Sequence, residues 1–427
     1  MNYCCVSCLM CVRLCVRVVR SYFAFGGIYR DWPEGRGIFL NASKTFLVWV
    51  NEEDELRIIS MQQGGNVGEV FTRLSRAIQA LESKLDVIFD DQRGFISSCP
   101  SNLGTGMRAS VHIRLPLASK DPRFKAICEE LHLQPRGADG EHSKANDYGL
   151  WDISPLKRLG LTEVDCAKAL HSGAVRLIAL EKELRAAKGG ASAGEGKEEV
   201  DEFKIPIARE FPSFPAESNS LVKRCLTREV YDALKDKTTA LGVTLYDVIK
   251  VGVQDPICKL GAMALDYDSY LTFSALMDPI IEGYHRGYKL ADGHRRDLDP
   301  SHLGDAASNP DPTGEFIDST RIRVARNLRG FPLPGKNTTA QRREIERQVV
   351  AALSSLEGEL AGTYYSLENM DEATRLRLES DHFLFRKEHG CVLVHVCVRV
   401  RMCACWIGVG VAGVVGCDVM VVVWARV

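Results

Sequence analysis

The chain has 427 residues, 45% of them hydrophobic and 26% charged, enough for two domains or one large domain with a substantial core. Its formal net charge of −2 argues against a broadly basic nucleic-acid binder but leaves room for a local basic pocket. Of the 15 cysteines, five fall in residues 1–20 and five in 391–427, so the intervening body is poor in cysteine and reads as a reduced, cytoplasmic protein. The 1–20 segment alternates valine, cysteine and arginine, and its arginines interrupt the apolar run that a signal peptide needs. Residues 391–427 form a second Cys/Val-rich tail, whose apolar end approaches membrane-spanning length but carries Asp418 and several glycines. Neither tail has the paired CxxC spacing with histidine of a zinc site, and both read as low-complexity extensions of a chain not bound to a membrane.

Residues 32–188 read as an α+β unit. Phe46–Val50 is a strand, the acidic run Asn51-Glu52-Glu53-Asp54-Glu55 is a turn, and Leu56–Met61 is the returning strand. Asn66 and Glu69 resemble a capping box, opening a helix with Val67, Val70, Phe71, Leu74, Ile78, Leu81 and Leu85 on one face. Ala109–Leu115 alternates as a strand, with Val111, Ile113 and Leu115 on one side and Arg108, Ser110, His112 and Arg114 on the other. An amphipathic helix spans 162–187, and the Gly-rich, then acidic stretch 189–203 is a linker. Residues 205–300 read as mostly helical, with Thr227 as one N-cap and Asp278-Pro279 opening a further helix. Residues 301–314 read as a loop, 317–325 as a strand placing Ser319, Arg321 and Arg323 on one face, and 341–356 as a helix.

The residue types that carry chemistry are ambiguous singly. Arginines at period two, as in Arg321 and Arg323, line one sheet face, which is either solvated or holds an anion through paired guanidinium hydrogen bonds. The acidic corner 51–55 is either a solvated turn or a cation site. The loop from Arg136 to His142 is either ordinary surface or a flap that closes over a ligand. Cys99, before Pro100, is either a buried core thiol or a reactive one.

Longer stretches resolve the ambiguity by resemblance. DWPEGRGIFLNASKTFLVWVNEEDELRIISMQQGGN at 31–66 and CPSNLGTGMRASVHIRLP at 99–116 resemble the catalytic domain of the phosphagen (ATP:guanidino) kinases, arginine kinases in particular. LTREVYDALKDK and DPIIEGYHRGYK, within 205–300, resemble that family's N-terminal helical domain, and EFIDSTRIRVARNLRGFPLP with DHFLF resembles the start of its catalytic domain. The resemblance implies an α+β fold, an antiparallel sheet flanked by helices of the glutamine synthetase/guanidino kinase type, plus a small all-α domain. It implies transfer of the γ-phosphoryl group of MgATP to a small guanidine, arginine or another such as taurocyamine. By the matching residues, Glu53 and Glu141 are implied to grip the guanidinium, Cys99 to lie beside it, and Glu52 to lie near Mg²⁺ through water. Arg57, Arg108, Arg136, Arg321 and Arg323 are implied to hold phosphate oxygens, with His112 near the adenine. Cys258, Lys259, Leu260, Gly261, Ala262 and Met263 fall where the family carries a substrate-specificity loop. Lys259 and Met263 depart from its small-residue composition in arginine kinases, and Asp139 replaces a basic residue.

The order departs from the family. The C-terminal catalytic segment (21–188) comes first, followed by a linker (189–204), the helical domain (205–300) and the truncated start of a catalytic domain (315–390). A window cut from a tandem kinase, with a neighbouring repeat as partner, accounts for this order. Two arrangements are then expected: a closed one in which both parts share one cleft, or two incomplete halves that make the chain an inactive nucleotide-binding or interaction fragment of a tandem kinase.

Overall fold

The computed structural model describes residues 6–19, 26–137, 149–187, 211–214, 218–255, 258–385, 391–407 and 411–425; Glu141 and the 189–203 linker lie outside them. The chain divides into two compact units, one formed by Phe25–Phe385 and one by the two tails. In the tail unit, Val6–Val19 pairs antiparallel with Cys391–Ile407, which pairs in turn with Val411–Ala425. The tails are thus strand-forming, as alternate valines favour. No helix among the described residues is long and apolar enough to cross a membrane.

The larger unit is built on an eight-stranded antiparallel sheet. Its strands are β1 (Gly37–Asn41), β2 (Phe46–Val50), β3 (Leu56–Gln63), β4 (Met107–Arg114), β5 (Leu133–Gly137), β6 (Leu150–Pro155), β7 (Ile317–Arg326) and β8 (Gly362–Ser366), in the spatial order β8-β1-β2-β3-β7-β4-β6-β5. β7, from late in the chain, lies between β3 and β4 and pairs with both. The closed arrangement is therefore the one adopted. The helices are α1 (Val67–Glu82), α2 (Pro122–Glu130), α3 (Glu163–Ala187), α4 (Leu221–Cys225), α5 (Arg228–Leu234), α6 (Leu245–Gln254), α7 (Asp268–Thr272), α8 (Ser274–Tyr284), α9 (Thr339–Leu353) and α10 (Glu372–Ser380).

Period-two alternation gives the sheet two unlike faces. One face carries Phe46, Val48, Ile58, Val111, Ile113, Ile322 and Val324, which pack in one core with Phe71, Leu74 and Ile78 of α1, Leu170 and Leu177 of α3, and Ile345 and Val349 of α9. Each such side chain contributes roughly 1.5–3 kcal/mol on burial. On the other face, Ile38, Leu40, Leu47, Trp49 and Ile59 are covered by Leu378, Leu384 and Phe385. The remainder of that second face carries Arg57, Arg108, Arg136, Arg321 and Arg323.

Helices α4 to α8 enclose their own core of Leu221, Val248, Tyr270, Phe273, Leu276 and Ile280, which runs into Ile96, Leu103 and Leu159 from the first part of the chain. Asn66, Ser220, Thr227 and Thr244 cap their helices with side-chain oxygens. Three expectations are corrected. Pro279 does not open a helix but lies inside α8. The helix begins earlier because Leu276 and Met277 join Ile280 and Ile281 in the core, and that burial outweighs the hydrogen bond proline cannot donate. Residues Pro300–Ala307 form a 3₁₀ segment rather than open loop, capped by Asp299 and anchored by buried Leu303 and Ala306. Gly362–Ser366, not foreseen as a strand, forms the sheet edge against β1.

Candidate active site

The strand register brings the basic residues together. Across β7 and β4, Arg323 faces Arg108, Arg321 faces Ser110, and Ser319 faces His112. On the other side of β7, Arg323 faces Ile59 and Ala325 faces Arg57. Beyond β4, His112 faces Asp152, which faces Arg136 of β5. Directly opposed residues in an antiparallel sheet project to the same side, so Arg57, Arg108, Arg136, Arg321, Arg323 and His112 share one face.

Among the described residues, few carboxylates answer this charge. Arg57 Nη1 lies 3.1 Å from Glu52 Oε2, and its Nη2 pairs with Glu53. Burial alone would lower the Arg57 pKa, but Glu52, Glu53 and Asp54 outweigh it and raise it above the usual arginine value. Arg108 Nη2 pairs with Asp152 Oδ2 at 2.7 Å. Burial pushes the Asp152 carboxyl up, yet the Arg108 guanidinium more than offsets this and holds it below the usual range. Arg321 and Arg323 form no ion pair among the described residues; Arg321 stacks at 5.7 Å over the Trp49 ring. Burial, reinforced by Arg57 and Arg108, pushes Arg321 down to about 10 and Arg323 well below its ordinary value. A patch in which guanidinium groups repel one another, with few counter-charges among the described residues, is suited to a polyanion.

The acidic corner is not the solvated turn that a charged hairpin usually is. Asp54 and Glu55 are fully buried and Glu52 nearly so. The turn is held from outside: Asn51 adopts a positive φ of 57°, its Nδ2 donates to Gly35 O and Arg342 O, and buried Arg36 donates to Asn51 O at 3.0 Å. Asp54 accepts from Ser97 Oγ at 2.8 Å and from Asn327 Nδ2 at 2.8 Å. Burial first, then repulsion from Glu53, pushes Asp54 up to about 6. Burial likewise raises Glu52, with the Glu53 charge adding and Arg57 opposing. Glu52 also accepts from the Glu53 backbone N–H at 2.7 Å. Glu53 is thus set at the edge of the arginine face on a rigid support.

Cys99 adjoins this corner, because Ser97 and Ser98 before it both bind Asp54. Its Sγ lies 2.9 Å from Ser101 Oγ. His112 Nδ1 meets Ser319 Oγ at 3.1 Å, and Arg136 Nη2 donates to Gln134 Oε1 at 2.8 Å. Of the 258–263 stretch, Gly261, Ala262 and Met263 are buried, while Lys259 is exposed and Cys258 and Leu260 are partly so. The backbone that follows it binds Ser98 through Ala264 N–H. Glu141 lies outside the described residues. The partners Asp152, Asn327, Trp49 and Ser97 were not singled out by sequence. Only the alternation of β6 hinted at Asp152, and nothing local marked Asn327.

The arrangement can hold a polyphosphate across the arginines and present a planar cation to Glu53. Known proteins resemble this chain in sequence. The profile of the ATP:guanido phosphotransferase C-terminal catalytic domain matches residues 15–184, and that of the N-terminal domain matches 216–282. An arginine kinase of Anthopleura japonica is 48% identical over 363 residues, 84% of this chain and 48% of that protein. A taurocyamine kinase of Schistosoma mansoni is 40% identical over 393 residues, 87% of this chain and 50% of that protein. Among solved structures, the duplicated taurocyamine kinase of Schistosoma mansoni with bound transition state analog components matches at 36% identity and a TM-score of 0.37, covering 88% of this chain and 54% of that one. The chain spans about half the length of the curated relatives it matches.

Proposed function

Because the chain belongs to the ATP:guanido phosphotransferase family, we propose that it moves the γ-phosphoryl group of MgATP to the guanidino nitrogen of arginine, buffering ATP. The observation that carries this reading is the pair Arg321 and Arg323. They lie together on the sheet face without an ion pair among the described residues and are pushed down by burial and by neighbouring guanidinium groups. Phosphate oxygens relieve that repulsion, with Arg57, Arg108 and Arg136 completing the cradle and His112 beside the base. Phosphoryl transfer then depends on positioning and charge stabilisation more than on covalent help from the protein. Glu53 orients the guanidinium and accepts its proton, paired with Glu141. Glu52 would face the Mg²⁺ of MgATP through water, and Cys99 would lie beside the guanidino group.

Arginine is favoured over taurocyamine by the higher identity to an arginine kinase over a similar share of the chain. The collinear match to half of that longer relative, with the catalytic C-terminal profile ahead of the N-terminal one, supports an origin in a tandem kinase. The cysteine-poor body of the sequence supports a cytoplasmic, reducing setting. The test is phosphoarginine formation from ATP, Mg²⁺ and arginine, with taurocyamine and creatine assayed in parallel. Glu53→Gln is expected to lower kcat at least about 100-fold while leaving the unfolding midpoint in place. An unchanged kcat removes Glu53 from the reaction, and no turnover of any guanidine by the native chain overturns the assignment.

A further inference from the structure

Around Cys99, each carbonyl from Ser97 to Ser101 is bound. Tyr270 Oη donates to Ser97 O at 2.7 Å. Ala264 N–H donates to Ser98 O at 2.9 Å, and Asn102 N–H closes onto Cys99 O at 2.9 Å. His285 Nε2 lies 3.0 Å from Pro100 O. A carbonyl only accepts, so the imidazole is the Nε2–H tautomer. Arg158 Nη1 donates to Ser101 O at 3.1 Å and also binds the Asn102 side chain. Tyr270 and His285 are completely buried, and Arg158 nearly so. Burial pushes His285 down to about 4, so it remains a neutral donor at physiological pH.

These donors come from elsewhere in the chain. Ala264, Tyr270 and His285 belong to the helical region, whereas Arg158 precedes α3. All three helical donors reach the turn where the helical core packs against Ile96, Leu103 and Leu159. Satisfying buried carbonyls is a structural need in itself, but here the bonded carbonyls bracket one thiol, and Ser101 Oγ faces its Sγ at 2.9 Å.

We propose that Tyr270 and His285 are positioning residues for Cys99: the helical region sets the thiol against Ser101 by holding the carbonyls of Ser97 and Pro100. This rests on the reading that Cys99 lies beside the reacting group. When either donor is removed, the turn relaxes, the Ser101 hydroxyl no longer aligns with the sulfur, and the thiolate loses a stabilising hydrogen bond.

The experiment monitors iodoacetamide alkylation of the full chain by mass spectrometry of the Cys99 peptide, across pH, in native protein and in Tyr270→Phe, His285→Leu, His285→Gln and Ser101→Ala. The expected result is an upward shift of the Cys99 alkylation midpoint by about half a unit or more in Tyr270→Phe, His285→Leu and Ser101→Ala. His285→Gln, which keeps a donor, returns toward the native midpoint. Tyr364→Phe, which loses a hydroxyl bound to Glu346 at 2.6 Å in the edge strand, serves as control and leaves the midpoint unmoved. Native midpoints in Tyr270→Phe and His285→Leu overturn the proposal. A shift of equal size in Tyr364→Phe also overturns it, because general loosening then explains the effect. The readout needs no turnover, so failure here is distinct from failure of the kinase assignment.

Discussion

Replacing Glu55 by glutamine removes a charge and almost no volume, and the surroundings of the carboxyl determine the effect on stability. Glu55 is completely buried. Its Oε2 accepts from the Leu328 N–H at 2.6 Å and its Oε1 from Asn337 Nδ2 at 3.2 Å. Burial, with a smaller push from Asp54, overcomes those hydrogen bonds and raises the carboxyl from 4.5 to about 8. Between those values the folded chain keeps a proton that the unfolded chain has released. The contribution of Glu55 is therefore fully present below pH 4.5 and is lost as pH rises through 8, at about 1.4 kcal/mol per unit. By pH 9 the loss is on the order of 5 kcal/mol. Glutamine has nothing to ionise. Its carbonyl accepts from Leu328, and Asn337, whose Oδ1 has no partner among the described residues, can turn its amide to accept from the new N–H₂. Urea unfolding at pH 5, 7 and 9 is expected to show native protein and Glu55→Gln within about 1 kcal/mol at pH 5, with the variant more stable by roughly 3–4 kcal/mol at pH 9. A difference that stays flat across that range refutes the reasoning, because shared titrations cancel between the two proteins.

Two further outcomes concern buried arginines. Arg323→Met relieves repulsion from Arg57, Arg108 and Arg321; it is expected to stabilise the nucleotide-free chain by about 1 kcal/mol while weakening ATP binding about tenfold or more, read by thermal melts and nucleotide titration. Arg36 donates to the backbone carbonyls of Gly27, Arg30, Asp31, Glu34 and Asn51, so Arg36→Leu is expected to cost more than about 3 kcal/mol in denaturant unfolding.

Strands were the most legible elements, because their alternation is local. The spacing in 108–115 and 317–325 assigned faces to Arg108, His112, Arg321 and Arg323 that the register preserves. What sequence could not show was who faces whom. The acidic corner stayed open between a solvated turn and a cation site because its partners, Asn327, Leu328 and Asn337, come from the distant part of the chain. Pro279 was misplaced for a related reason: proline at a helix start is a local preference, whereas the start of α8 is set by Leu276 and Met277 entering a core. Arg57 could be named from its segment, but its pairing with Glu52 and Glu53 reflects how the turn folds back on β3.

The placement of β7 has a consequence for synthesis on the ribosome. β3 and β4 are translated well before the strand that separates them, and the helical region emerges in between. Until β7 arrives, the nascent polypeptide carries two hydrogen-bonding edges without their native neighbour, a condition in which mispairing with each other or with another chain competes with productive assembly. The strand that carries Arg321 and Arg323 is thus also the one whose late arrival closes the sheet between β3 and β4.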